Sequence, residues 1–329
     1  MRRRTEGPRG FVTIVLEMNW AESIASLADA VRRTGVLILA LSAASMAQAS
    51  STPSHVDPFQ LAPVELVRKA VQNEINASGG SAHFMFRGTK TTPKGSTTKI
   101  YVETSEATAG MAVAYDGRPL TPAQRREEEA RVERVVKNPE EMRRKRAQEH
   151  EDAERTMRIV RALPDAFLYE YAGEATGTAG IGHAGDPLVK LRFHPNPHYR
   201  PPSRVENVLT GMQGDLLLDA VHYRLASIDG TLFKEVGFGW GILGHLDRGG
   251  HFVVHQAEVS DNLWEISSMS LKFTGKILLI KSLSIDSSEV FSGFKQVSPD
   301  LTYAQALEML KKEEADVAEN SPGTNGARK

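Results

Sequence analysis

The stretch HFVVHQAEVSDNLWEISSMSLKF, residues 251–273, decides the fold class. Two runs suited to strands, 251–259 and 263–273, flank Ser260-Asp261-Asn262, whose short polar side chains favour a tight reversal. That grammar is a hairpin, so the two strands run antiparallel. It recurs on both sides. Downstream, strands are expected at 276–285 and 289–296. Upstream lie a strand at 235–246 and a hairpin of 215–219 with 223–229 across Ala220-Val221-His222. Runs at 188–194, 166–171, 111–115, 98–103 and 83–87 extend the series towards the N-terminus. Apolar residues in them recur at period two, as in Phe84/Phe86 and Ile100/Val102, the pattern of a half-buried strand.

Helical grammar appears in four places. Residues 63–77 carry Val64, Val67, Val71 and Ile75 on one face, and Gly79-Gly80 end the run. Thr121-Pro122-Ala123-Gln124 supplies an N-cap, a proline at the first helical position and a capping-box partner. Asn138-Pro139-Glu140-Glu141 repeats it, so 121–163 reads as two helices, rich in both charges and with a thin stripe of Ala153, Met157, Val160 and Leu163. Ser203 opens a short helix to Met212, and Thr302 with Gln305 opens a last amphipathic one. Strands do not alternate with helices, which excludes a parallel sheet. The expected class is α+β, mainly antiparallel β. It is a curled meander forming an incomplete barrel, with N-terminal, central charged and C-terminal helices packed on or beside it.

The chain has 329 residues, 40% apolar, with 40 basic against 41 acidic side chains and no cysteine. A formal charge of −1 gives no global reason to expect a nucleic acid partner. Without cysteine there are no disulfides and no thiolate chemistry. Arg32 and Arg33 precede the apolar run from Gly35, and Ala47-Gln48-Ala49 closes it before Ser50. Basic flank, short apolar run and A-x-A end make residues 1–49 a signal peptide and lead-in, too short in apolar length for a membrane span. Ser50 stands where a lipoprotein would carry its acylated cysteine. The expectation is an exported, soluble, unanchored protein, periplasmic or extracellular. One β-rich domain fills 50–319, with a helical insertion at 121–163, and 320–329 is a tail without structure.

The order of elements resembles the bacterial outer-membrane lipoprotein-sorting fold. The resemblance lies in an N-terminal helix leading to Phe84–Phe86 and in the hairpin Gly214-Asp215-Leu216-Leu217-Leu218-Asp219 with Leu225-Ala226-Ser227-Ile228-Asp229. It continues in the closing run Phe273-Thr274-Gly275-Lys276-Ile277 to Glu289-Val290-Phe291-Ser292-Gly293-Phe294. It covers roughly residues 60–297 as a succession of elements. The resemblance implies an incomplete antiparallel barrel whose apolar concavity holds acyl chains beneath helical lids. The charged helices are an addition to that pattern.

Motifs that carry chemistry are sparse. Gly239-Trp240-Gly241-Ile242-Leu243-Gly244 matches G-x-G-x-x-G, but a turn and a strand follow it where a dinucleotide site needs a helix. The same glycines give a different signal. Gly237, Gly239 and Gly241 alternate with Phe238, Trp240 and Ile242, so one strand face is bare and the other bulky. A bare face admits a close backbone, a bend or a lipid chain. His251 and His255 stand ~13 Å apart along a strand, too far to share one ion. No G-x-S-x-G elbow is present. No catalytic residue, metal site or cofactor is therefore expected.

The function expected is a non-enzymatic binding protein holding a lipid, acyl or other apolar ligand. Phe84, Phe86, Ile100, Val102, Gly239, Trp240 and Gly241 are the candidate lining residues. One alternative is an envelope scaffold whose protein partner binds the charged helices at 121–163. The other is a hydrolase of unknown type using the region of His245 to His255.

Overall fold

Every named strand pair is antiparallel in the computed structural model, which describes residues 61–78, 82–238, 244–277 and 281–319. The signal peptide and the tail at 320–329 lie outside the described residues. Helix α1 (Pro63–Ser78) leads into β1 (His83–Thr92), β2 (Gly95–Val102), β3 (Ala109–Tyr115) and the two-residue β4 (Arg118–Pro119). Two helices, α2 (Pro122–Lys137) and α3 (Pro139–Ala166), follow. Then come β5 (Phe167–Thr176), β6 (Pro187–Pro195), the single turn α4 (Arg204–Asn207), β7 (Met212–Asp219) and β8 (Arg224–Leu232). Short strands β9 (Val236–Phe238) and β10 (Gly244–Leu246) precede the long β11 (His251–Ser260), β12 (Leu263–Ile277) and β13 (Lys281–Val297). Helix α5 (Tyr303–Glu319) closes the described chain.

The strands form one open sheet in the order β4-β3-β2-β1-β13-β12-β11-β8-β7-β6-β5, with the β9–β10 hairpin attached to β12. This is an α+β incomplete barrel, as expected. The meander is interrupted twice: β1 pairs with β13 in mid-sheet from His83↔Val297 to Thr91↔Ser288, and β8 pairs with β11 because β9 and β10 leave the path. The two ends of the sheet are consequently β4 and β5, and α2 and α3 carry the chain between them.

Several strand boundaries differ from expectation, and the runs read as separate strands at 276–285 and 289–296 are one continuous strand, β13. Residues 235–246 are two strands, paired Phe238 with Gly244 and Val236 with Leu246, not one glycine-faced strand. The reversal read near Gly275 lies instead between Ile277 and Lys281. Gly275 is inside β12, where an added Cβ would sit 2.1 Å from the His245 carbonyl oxygen. Its absence lets β10 add to β12 there.

The caps follow the sequence closely. Thr121 and Gln124 form a full capping box on α2, and the Asn138 side chain accepts from the Glu140 and Glu141 amides to start α3. Each cap contributes about 1 kcal/mol. Helix α3 runs 28 residues with Pro164 in its last turn. Its final carbonyls are satisfied from the sheet. Tyr169 donates to Leu163 at 2.7 Å, while Asn196 donates its amide side chain to Asp165 and its backbone N–H to Ala166.

Helices pack on both faces. On the inner face, α1 (Leu66, Val67, Val71) and α3 (Met157, Val160, Leu163) cover β5–β8. On the outer face, α5 (Ala306, Leu307, Leu310) and Val132 of α2 cover β1–β3. Among the described residues no helix is long and apolar enough to cross a membrane.

Candidate functional site

The alternation of β7, β8 and β11 to β13 places Leu216, Ile228, Phe252, Val254, Phe273 and Ile285 on the inner face beneath α3. Helix α3 does not lie flat on them. Its residues Thr156, Ile159, Val160 and Leu163, at helical spacing, form a roof, and Val205, Val208 and Leu209 form a side wall. The space enclosed is a cavity of about 720 Å³. One wall position depends on a glycine. Gly230 lies under the Phe252 ring, and a Cβ there would come within 2.3 Å of Cε1.

The cavity changes character along its length. Towards solvent its lining includes Glu151, Arg155, Arg158 and Arg204, all at least partly exposed. Arg155 is held by Glu151 and Asp152 one helical turn away. In the wall, Tyr169 keeps its hydroxyl on the Leu163 carbonyl, and burial pushes its phenol well above the usual range. Beyond Val160, Ile228 and Val254 a smaller void of about 50 Å³ reaches Glu74, Ser227 and Gln256. There Glu74 takes a bidentate pair from Arg224, with Nε and Nη2 each at 2.8 Å. It also accepts from the Leu225 amide at 3.0 Å and Gln256 Nε2 at 3.2 Å. The charges at this inner end are thus satisfied by one another.

The lining predicted from sequence is corrected by the register of β1 and β2. Met85 faces Val102 and Phe86 faces Tyr101, so Phe84/Phe86 and Ile100/Val102 point to opposite faces. Phe84 and Phe86 are 1% and 2% exposed, packed with Ile266, Met269 and Phe291. Phe86 stacks between Tyr101 and Phe294 at 5.1 and 5.3 Å. Ile100 and Val102 are sealed under α5 beside Met85 and Met111. None of these four lines the cavity. Gly239, Trp240 and Gly241 lie outside the described residues. The sequence did carry part of the signal for the roof, since Val160 and Leu163 belonged to its thin apolar stripe.

The polar clusters have local explanations. Asp186, Asp219 and His222 bring ligand atoms within 4.8 Å of one another. Asp219 is fully buried and accepts from the Val221 and His222 amides at 3.0 and 2.8 Å, which is the chemistry of a turn cap. Nearby, the hydrogen bond that His183 donates to the Glu258 carboxylate raises its imidazole above the ordinary range. Burial pulls the Glu258 carboxyl upward, but the Asn262 amide and His183 outweigh it and hold it low. The three histidines of the hydrolase alternative have separate partners. His245 meets Asp247 at 3.2 Å, His251 meets Asp229 at 2.7 Å and His255 meets Ser227 at 3.0 Å. Burial lowers His255 below the usual imidazole range.

Comparison with known proteins gives no match, whether to family models, to curated sequences or to solved structures.

Proposed function

We propose that the protein is an exported, soluble, non-enzymatic carrier of the lipoprotein-sorting type, which holds an acyl chain or a comparably apolar ligand between α3 and the sheet. The observation that carries this reading is the cavity of about 720 Å³, apolar within and bordered by charge at one end. Its volume falls inside the range of roughly 300–1,000 Å³ common to ligand pockets. Each methylene moved from water into such a space gains ~0.8 kcal/mol. Roughly ten methylenes therefore give ~8 kcal/mol gross, and once the cost of association is subtracted the chain alone binds more weakly than micromolar.

The test uses the purified full chain. Native mass spectrometry should find co-purifying lipid, and a fluorescent acyl probe should bind saturably. Leu216→Trp or Ile228→Trp fills the cavity with an indole, and each should weaken the probe about tenfold or more while far-UV circular dichroism is unchanged. Absence of saturable binding by any acyl probe, or binding indifferent to both tryptophans, rejects the reading.

A further inference from the structure

We infer that the ligand of this cavity is an amphiphile with an anionic head, and that Arg158 and Arg204 hold that head at the mouth. The inference rests on the cavity being the ligand site and adds the chemistry of the ligand's polar end. Glu151, Arg155 and Arg158 follow one another at i, i+4 and i+7 on α3, so they form one stripe along the cavity rim. Arg204 comes from α4, which packs against α3 and is started by Ser203. Three guanidiniums thus stand against one carboxylate where the apolar lining ends.

The three are not equivalent. Arg155 is engaged by Glu151 and Asp152. Arg158 gives its Nε to the Glu154 carbonyl at 3.3 Å, and among the described residues no carboxylate lies within ion-pair distance of it or of Arg204. Elsewhere on α2 and α3, Arg131, Lys137, Arg143 and Lys145 each meet a glutamate three or four residues away, while Arg126, Arg134, Arg144 and Arg161, also without an ion pair among the described residues, do not line the cavity. A guanidinium stays charged at any working pH and presents a fork that fits a carboxylate or phosphate. Two such groups on separate elements, bordering an apolar pocket, suit a chain whose tail is apolar and whose end is negative. A neutral or cationic head would leave them without that partner.

A series of ligands sharing one chain tests this. Dodecanoate, dodecyl phosphate, dodecanol and dodecyltrimethylammonium are titrated by calorimetry below their micellar range, against wild type, Arg158→Gln, Arg204→Gln and the double variant. The expected order places both anions above dodecanol and the cation last, with a carboxylate-to-phosphate ratio that tells which head is preferred. The double variant should lose about tenfold or more for the anions and leave dodecanol unchanged. Added salt should weaken the anions alone. If dodecanol binds as tightly as dodecanoate, or the variants bind both anions like wild type, the anionic head is refuted while the cavity reading stands. If none of the four binds, both fall together.

Discussion

At the scale of single residues, the most consequential contact is the buried pair of Glu74 and Arg224. Their side chains are 3% and 9% exposed, and Arg224 also lies 5.5 Å from the Trp264 ring centre. Such a pair contributes little net stability, because desolvating two charges offsets most of their attraction. Breaking it is another matter. Glu74→Ala leaves a guanidinium buried without its counter-charge, and urea denaturation should show a loss of about 3–5 kcal/mol. Glu74→Leu combined with Arg224→Met should recover most of that loss. If the single and double variants are equally unstable, the pair is not what couples α1 to β8. This arrangement was not read from the sequence. Glu74 falls three residues after Val71 on the buried side of α1, but its partner is 150 residues away. The same limit governed the aromatic strands. Period two shows that Phe84 and Phe86 share a face, whereas which face Ile100 and Val102 share with them depends on register.

At the scale of elements, α2 protects a sheet edge. Strand β4 covers only Ala114 and Tyr115 of β3, leaving the backbone nearer Gly110 and Ala112 unpaired on that side. Helix α2 supplies the missing partners from side chains. Arg131 Nη2 donates to the Gly110 carbonyl at 2.7 Å, and Glu128 accepts the Ala112 amide at 3.2 Å. Burial opposes the Glu128 charge, yet Arg131 and that amide keep its carboxyl below the usual range. Replacing both by alanine should cost about 1–3 kcal/mol and open the edge to a second chain. Light scattering should then show concentration-dependent association, and a variant that stays monomeric at every concentration would contradict the edge role. Caps and hairpin turns were legible beforehand because they are decided within four residues. The destination of the helices was not, since a charged face looks alike in solvent, along a sheet edge or over a cavity. The strand breaks at 235–246 and near Gly275 were misplaced for a related reason: glycine marks a turn and a close strand crossing with the same letter.

For the whole molecule, the decisive pairing joins β1 to β13. Residues such as Met85 and Lys295 are neighbours across it, at opposite ends of the folded chain. Contacts of such separation slow folding, and sheets dominated by them fold in milliseconds to seconds. A chain ending at residue 277 lacks β13 and should give no cooperative thermal transition, whereas one ending at 319 should melt like the full chain. Equal melting of both would show that the two wings of the sheet are stable apart.

That central seam has an outcome in time as well as in space. A ribosome delivers this chain from its amino end, so β1 waits with one flank unsatisfied while some two hundred further residues are made. The roof helix and the far wing exist before the strand that stitches the halves together. The cavity, whose wall includes Ile285, is therefore complete only once the last strand is in place.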